Sequence, residues 1–353
     1  MATAGEPAEA LAAVREAGLR HHVIPLSRSG TRPITELRTL RALYQLYRRL
    51  RPDLIHHVTI KPVVYGGLAA RAAGCPAVVS AISGLGYVFT GASLRHRALR
   101  ALAVGLYRRA LKHPRSRVIF QNPHDAAIFR ELSITSAEQP VLIRGSGVHL
   151  DRFHHTPEPQ GTPVVLLPAR MLRDKGVVEF VEAARKLRSR GTEARFVLAG
   201  EPDPENPASL TTEELMSWAD AGVVEWWGHC EDMANTLARS HLVVLPSFYG
   251  EGLPKSLIEA AACGRAIVTT DHPGCREAVE DGLNGLLVPL RDSNALAEAI
   301  HALLGDPERR RSMGQRGRGR AEAEFSVDEV VRQHLEVYET LLTESRYQPP
   351  LSR

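Results

Sequence analysis

The chain has 353 residues, with 44 Lys/Arg against 40 Asp/Glu and 44% hydrophobic residues, which allows two domains of ordinary size or one large one. No apolar run approaches the roughly 18–20 residues a membrane span needs, and no charged-then-apolar leader is visible. The four cysteines (Cys75, Cys230, Cys263, Cys275) have no metal-ligand spacing, so they read as reduced thiols in a soluble, cytosolic protein.

The near-neutral total conceals two unlike halves. Residues 1–157 carry 22 Lys/Arg and 9 Asp/Glu, whereas residues 158–353 carry 22 and 31. That split points to two domains with different partners. The seam falls at HHTPEPQGTP, His154 to Pro163, a Pro-rich and polar stretch of linker composition.

In chain order, HHVIPL and DLIHHV read as strands, and PITELRTLRALYQLYRRLRP between them repeats apolar residues at helical spacing until Pro52. AVVSAI, RVIFQN and PVLIRG follow as strands. The second half opens with PVVLLPA, a helix over Val177–Arg190, ARFVLAG and VVEWWG. A short helix, LVVLPS, a helix after Pro254, RAIVTTD and NGLLVP complete it. Strands this apolar, separated by helices, predict parallel sheets covered on both faces: an α/β chain with two Rossmann-like domains facing across a cleft. SVDEVVRQHLEVYETLL is a last helix with Ser326 at its N-cap, and YQPPLSR a frayed tail.

Ligands of parallel sheets bind beyond the carboxyl ends of strands, where loops enter helices. Three second-half loops hold that position. PARMLRDKG brings Arg170 and Lys175 to the head of a helix; a fixed pair of cations suits a diphosphate, and a solvated basic turn has the same composition. GHCEDM offers Gly228 as a place where backbone passes close to a flat base. SFYGEGLPKSLIEAAACG sets Glu251 and Glu259 eight positions apart around a Gly-Leu-Pro turn. With Pro254 at the first helical position, the N–H groups of Lys255, Ser256 and Leu257 favour an anion. The two carboxylates then accept from hydroxyls at opposite ends of a phosphate ligand, or else serve as a turn residue and a local ion pair.

EGLPKSLIEAAACGRAIVTTDHPGCREAVEDGLNGLLVP resembles the signature of retaining family 4 glycosyltransferases of GT-B fold, and ARMLRDKG, GSGVHLDRF and LVVLPSFYGEGLP match in order and spacing. The resemblance covers about Ser27 to Leu342. It implies that Arg170 and Lys175 neutralise the diphosphate of a nucleotide-sugar donor and that Glu259 binds its ribose. It implies too that Glu251 contacts the transferred sugar, while the backbone of Gly252 and Leu253 and the helix start hold the phosphates. HHVTIKPVVYGGLAARAAGCPAVVSAISGLGYVFTG is similar to the subgroup that extends undecaprenyl-diphosphate-linked saccharides for capsule, O-antigen or bacterial N-glycan assembly, including N-acetylgalactosaminyltransferases.

The resemblance divides the chain into an acceptor- and membrane-facing domain (1–155), a nucleotide-sugar domain (156–325) and a closing helix with tail (326–353). It implies transfer of a sugar, such as an N-acetylhexosamine, from a UDP-sugar to a lipid-linked saccharide with retention of configuration. No Asp-x-Asp motif occurs, so the expectation is a metal-independent enzyme without cofactor. Relatives place a His after the strand matched by VVSAI, where this chain has Ser83; His56, His57 and His149 are read as structural. Relatives also begin with a strand, a small-residue loop and a helix ahead of the segment matched by Met1. Either the start is placed too late, or the first domain lacks that unit. The rival reading is an N-terminally truncated, non-catalytic nucleotide-binding or complex-partner protein; a sugar-nucleotide epimerase fits the motif order less well.

Ser93 to Arg117, SLRHRALRALAVGLYRRALKHPRSR, has eight Lys/Arg and no acid. Arg97, Arg100, Arg108 and Arg109 surround an apolar face of Leu99, Leu102, Ala103 and Leu106. That pattern suits a helix resting on the anionic inner face of the plasma membrane beside a lipid-linked acceptor, or a surface helix with a solvated basic side. No nucleic-acid reader motif is present.

Overall fold

The computed structural model describes residues 2–3, 12, 14–26, 33–85, 94–248 and 250–346. The expected tail 347–353 and residues 86–93, which hold most of GLGYVFTG, lie outside them.

The first half forms β1 (Ala2–Thr3), β2 (His22–Val23), α1 (Pro33–Leu50), β3 (Leu54–Val58), α2 (Ile60–Ala73), β4 (Ala77–Ile82), α3 (Leu94–Leu111), β5 (Ser116–Phe120), α4 (Pro123–Glu131) and β6 (Pro140–Leu142). Strands β3 to β6 lie side by side in chain order and parallel, while β1 and β2 pair separately. Of HHVIPL only His22–Val23 is strand, since Pro25 has no N–H for a ladder.

The second half forms β7 (Val164–Pro168), α5 (Val177–Ser189), β8 (Arg195–Ala199), α6 (Thr212–Asp220), β9 (Glu225–Trp226), α7 (Met233–Ala238), β10 (Leu242–Leu245), α8 (Lys255–Ala262), β11 (Ala266–Thr270), α9 (Pro273–Ala278), β12 (Gly285–Val288), α10 (Ser293–Gly305) and α11 (Pro307–Glu324). Its sheet is parallel in the order β12-β11-β10-β7-β8-β9. The direction of winding reverses between β7 and β10, the place where open α/β sheets leave a crevice for ligands.

Both faces of this sheet are buried. Val165 and Leu167 of β7 face Phe180, Leu296 and Ile300, whereas Val164 and Leu166 face Leu257, Ile258 and Phe325. This explains why β7 reads as an unbroken apolar run rather than an alternation. The first sheet is covered on one face by Val63, Tyr107, Leu111 and Phe129. On its other face lies α12 (Val327–Arg346), whose Val330, Val337 and Leu341 pack on Ala77, Val79 and Ile119. The last helix thus returns to the first half. The Ser326 hydroxyl accepts from Glu329 N–H at 3.2 Å, the expected N-cap bond.

The seam is fastened rather than loose. Arg265, 1% exposed, donates to Thr156 O at 2.7 Å and Thr156 Oγ1 at 2.6 Å. Arg310 grips both oxygens of Glu158 at 2.8 Å. The two passes between halves also touch each other: Val148 N–H donates to Phe325 O, and Val327 N–H to Val148 O. Gly147 permits this, because a Cβ there would lie 2.8 Å from Val327 Cα.

Candidate functional site

The loops after β7 and β10 meet at the winding reversal. After β7, Arg173–Lys175 makes one 3-10 turn and Gly176, at φ 74°, passes the chain into α5. A Cβ at Gly176 would sit 2.2 Å from Pro246 O, so glycine is what lets this turn lie against the end of β10. Phe248 N–H donates to Asp174 O at 3.1 Å and closes the contact.

That close approach brings Lys175 Nζ onto Glu251 Oε1 in an ion pair whose side chains are 18% and 15% exposed. The Ser247 hydroxyl donates to the same Oε1 at 2.8 Å. Sequence spacing selected Lys175 and Glu251 separately; the fold makes them partners. Arg170 lies on the rim, paired with Asp203 Oδ2 at 2.5 Å and 60% exposed. Both cations are therefore balanced by carboxylates before any anion arrives, and a diphosphate would share them.

Glu259 occupies the second turn of α8, 13% exposed, with Lys255 Nζ at 3.9 Å and no hydrogen-bond donor on its carboxylate among the described residues. Burial raises its pKa, opposed by the charges of Lys255 and Arg152. A nearly buried acceptor without a local donor is suited to hydroxyls brought by a ligand. Pro254 stands at the N-cap rather than at the first helical position, one residue earlier than expected: its ψ of 121° is extended, and α8 starts at Lys255. Leu257 N–H turns back to Pro254 O at 3.1 Å, which leaves the N–H groups of Lys255 and Ser256 without acceptors among the described residues. Two of the three expected helix-start amides are thus free for an anion, and Leu257 is not.

Gly228 follows β9 at φ 65° with open space where a Cβ would point, and its carbonyl accepts from Gly200 N–H at 2.7 Å. The amides of Gly252 and Leu253 are engaged by the first half: Gly252 N–H donates to Ser83 O at 3.0 Å and Leu253 N–H to Gln121 Oε1 at 2.9 Å. The Ser83 side chain is exposed at this junction. Gln121, Ser247, Asp203 and His272 were not selected from the sequence. Gln121 carried a usable signal, since it directly follows a parallel strand and precedes an Asn-Pro helix start. His272 caps α9, accepting from Gly274 N–H at 3.3 Å; burial lowers its pKa and the Glu251 charge opposes that shift.

On α3 the expected apolar face divides. Leu99 and Leu102 are 41% and 61% exposed, whereas Leu106 packs on the core with Val104 and Tyr107. Arg97 and Arg109 are exposed and Arg100 is half-buried. Arg108 donates to Leu132 O from Nε at 3.0 Å, so its guanidinium is partly committed to the protein. On α1, Ile34, Leu37 and Tyr44 are also exposed, with Arg41 and Arg48 completing the same helical face. His56 and His57 are packing residues: His56 Nδ1 meets Tyr338 OH at 2.7 Å and His57 Nε2 meets Tyr47 OH at 2.9 Å. His149 is exposed. Among the described residues no helix is long and apolar enough to cross a membrane.

Residues 162–306 match the family model for glycosyl transferases group 1, and residues 8–122 the model for glycosyl transferase 4-like proteins. The chain is 30% identical over 344 residues to the N,N'-diacetylbacillosaminyl-diphospho-undecaprenol alpha-1,3-N-acetylgalactosaminyltransferase of Campylobacter jejuni, covering 93% of this chain and 88% of that protein. It is 25% identical to the capsular polysaccharide biosynthesis glycosyltransferase CapM of Staphylococcus aureus, covering 92% and 86%. Among solved structures it resembles Anabaena HepE in complex with UDP-glucose, at TM-score 0.75 and 21% identity, over 94% of this chain and 88% of that one.

Proposed function

The chain belongs to the group 1 glycosyltransferases of family 4, hexosyltransferase-type enzymes of GT-B fold that use nucleotide sugars, and on that premise we propose that it transfers a sugar from a UDP-linked donor to a lipid-linked saccharide. The observation that carries this reading is the Lys175–Glu251 pair at the winding reversal, beside the free amides at the start of α8. Glu259, about one turn further along, takes the ribose hydroxyls. Lys175, Arg170 and the Lys255 and Ser256 amides take the diphosphate, and Glu251 meets the transferred sugar.

In this arrangement the bond from the anomeric carbon to the diphosphate oxygen breaks while the acceptor hydroxyl attacks from the same face. The electron pair leaves on the nucleotide diphosphate, which Lys175 and the helix dipole stabilise as its charge grows. The acceptor proton passes to the departing phosphate oxygen, so the chemistry asks for no separate strong base. An N-acetylhexosamine donor agrees with the specificity named for the Campylobacter relative.

A lipid-linked acceptor is supported by that relative's undecaprenol substrate and by the surface of the first half. Leu99 and Leu102 on α3, and Ile34, Leu37 and Tyr44 on α1, are exposed beside Arg97, Arg109, Arg41 and Arg48. Apolar side chains flanked by arginines suit an anionic bilayer surface, which supports a peripheral seat on the inner face of a membrane. The test is a screen of UDP-sugars against polyprenyl-diphosphate saccharides. A glycosylated lipid product whose new linkage keeps the donor's anomeric configuration is expected. UDP binding without any lipid-linked product would overturn the acceptor assignment in favour of a nucleotide-binding partner protein.

A further inference from the structure

The residue after Glu251 is enclosed from three directions. Gly252 N–H donates to Ser83 O at 3.0 Å, and Asn122 Nδ2 reaches toward Gly252 O at 3.5 Å. A Cβ at Gly252 would lie 2.1 Å from Gln121 Oε1. A Cβ at Gly84 would lie 2.6 Å from Gly250 O, and one at Gly274 would lie 2.0 Å from Gly252 O. Glycines from three separate segments thus let the end of β4, the Glu251 loop and the start of α9 lie in contact.

The Gln121 side chain accepts from the amide of the next residue, Leu253, at 2.9 Å. Its own backbone is fixed by the helix that follows. Asn122 is fully buried and caps α4 by accepting from Asp125 N–H at 2.8 Å, and Pro123 sets the first helical position. A strand end on one side and a capped helix on the other hold Gln121 toward the cleft. Leu253 is 7% exposed, so its amide without Gln121 would be an orphan buried donor.

We propose that Gln121 is a positioning residue: from the acceptor-facing half it holds the Glu251–Leu253 loop in register, so that Glu251 stays on Lys175 and Ser247 only while the two halves are together. It acts through Leu253 and the loop backbone, two residues from the carboxylate. On the proposed reading UDP keeps Glu259, Arg170 and the Lys255 and Ser256 amides when the Glu251 loop slips, so losing the latch slows transfer far more than it loosens the nucleotide. Its effect on rate rests on the glycosyl-transfer reading; the hydrogen bond itself does not.

The test uses the full chain as wild type, Gln121→Met, which keeps length but removes the acceptor, and Gln121→Glu, which keeps an acceptor oxygen. Hydrogen–deuterium exchange on unliganded protein should show the Leu253 amide exchanging about tenfold faster in Gln121→Met, with β10 and α8 unchanged and Gln121→Glu near wild type. In turnover, kcat should fall about tenfold in Gln121→Met and recover in Gln121→Glu, while the Kd for UDP stays within about twofold. Unchanged Leu253 exchange would overturn the latch. Equal losses in both variants, or UDP affinity falling in step with kcat, would overturn the positioning role. A wild type that turns over no nucleotide sugar would contradict the proposed function, and exchange would still decide the latch.

Discussion

The two sheets use their carboxyl ends differently. The second reverses its winding between β7 and β10 and gathers Lys175, Glu251 and the start of α8 at the reversal. The first runs β3-β4-β5-β6 in chain order, and the residues just past its strand ends contribute two acceptors, the Ser83 carbonyl and the Gln121 side-chain oxygen. One half concentrates charge at a built site; the other presents hydrogen-bonding groups and an exposed basic, apolar surface. Donor chemistry can therefore be written in a short motif, whereas what the first half does depends on how it meets its neighbours.

That contrast can be broken by stability first. Arg310 is 4% exposed in its side chain and holds Glu158 bidentately, fastening the seam to the second half. Removing one partner of such a pair leaves a buried charge uncompensated, so Arg310→Ala should cost about 3–5 kcal/mol. The tryptophans, Trp218, Trp226 and Trp227, all lie in the second half. Their fluorescence during urea unfolding should therefore shift to lower denaturant, and an unshifted midpoint would mean the seam is not held there.

Next in size is the pair at the reversal. Lys175→Ala removes the cation we propose meets the leaving diphosphate and should lower the transfer rate by about 10²–10³-fold. Glu259 sharpens the contrast through pH. Burial raises its pKa, so its carboxylate takes up a proton at a higher pH than an exposed glutamate. UDP affinity should then weaken as pH falls through that raised value, and Glu259→Gln, already neutral, should lose this pH dependence in a calorimetric titration. The smallest effect belongs to the first half. Leu99→Ser with Leu102→Ser should weaken sedimentation with anionic phospholipid vesicles by up to about tenfold, more visibly at high salt, and leave UDP binding unchanged.

Much of the second half was legible because its strands are buried on both faces and its loops follow a phosphate-binding logic. The helix α11 was not foreseen, since PERRRSMGQRGRGRAEAE has no apolar stripe. Its inward face is Arg310, Met313, Gly314, Gly317 and Ala321, with Gly314 pressed against the Gly264 carbonyl. Packing there is carried by small residues and one paired arginine, which hydropathy periodicity does not register. The Lys175–Glu251 pair was hidden for another reason: the partners are 76 positions apart, and the contact of Gly176 with Pro246, closed by Phe248 N–H on Asp174 O, brings them together. On α3 the spacing named the right exposed leucines but grouped Leu106 with them, because one helical face met both solvent and core.

The central assignment gives the two glutamates separate ends of one donor. Titrating UDP into wild type, Glu259→Ala and Glu251→Ala, then assaying transfer, tests it most directly. Glu259→Ala should bind UDP about 10–100-fold more weakly, while Glu251→Ala should bind UDP as wild type does and transfer slowly. Equal UDP affinity in wild type and Glu259→Ala would contradict it.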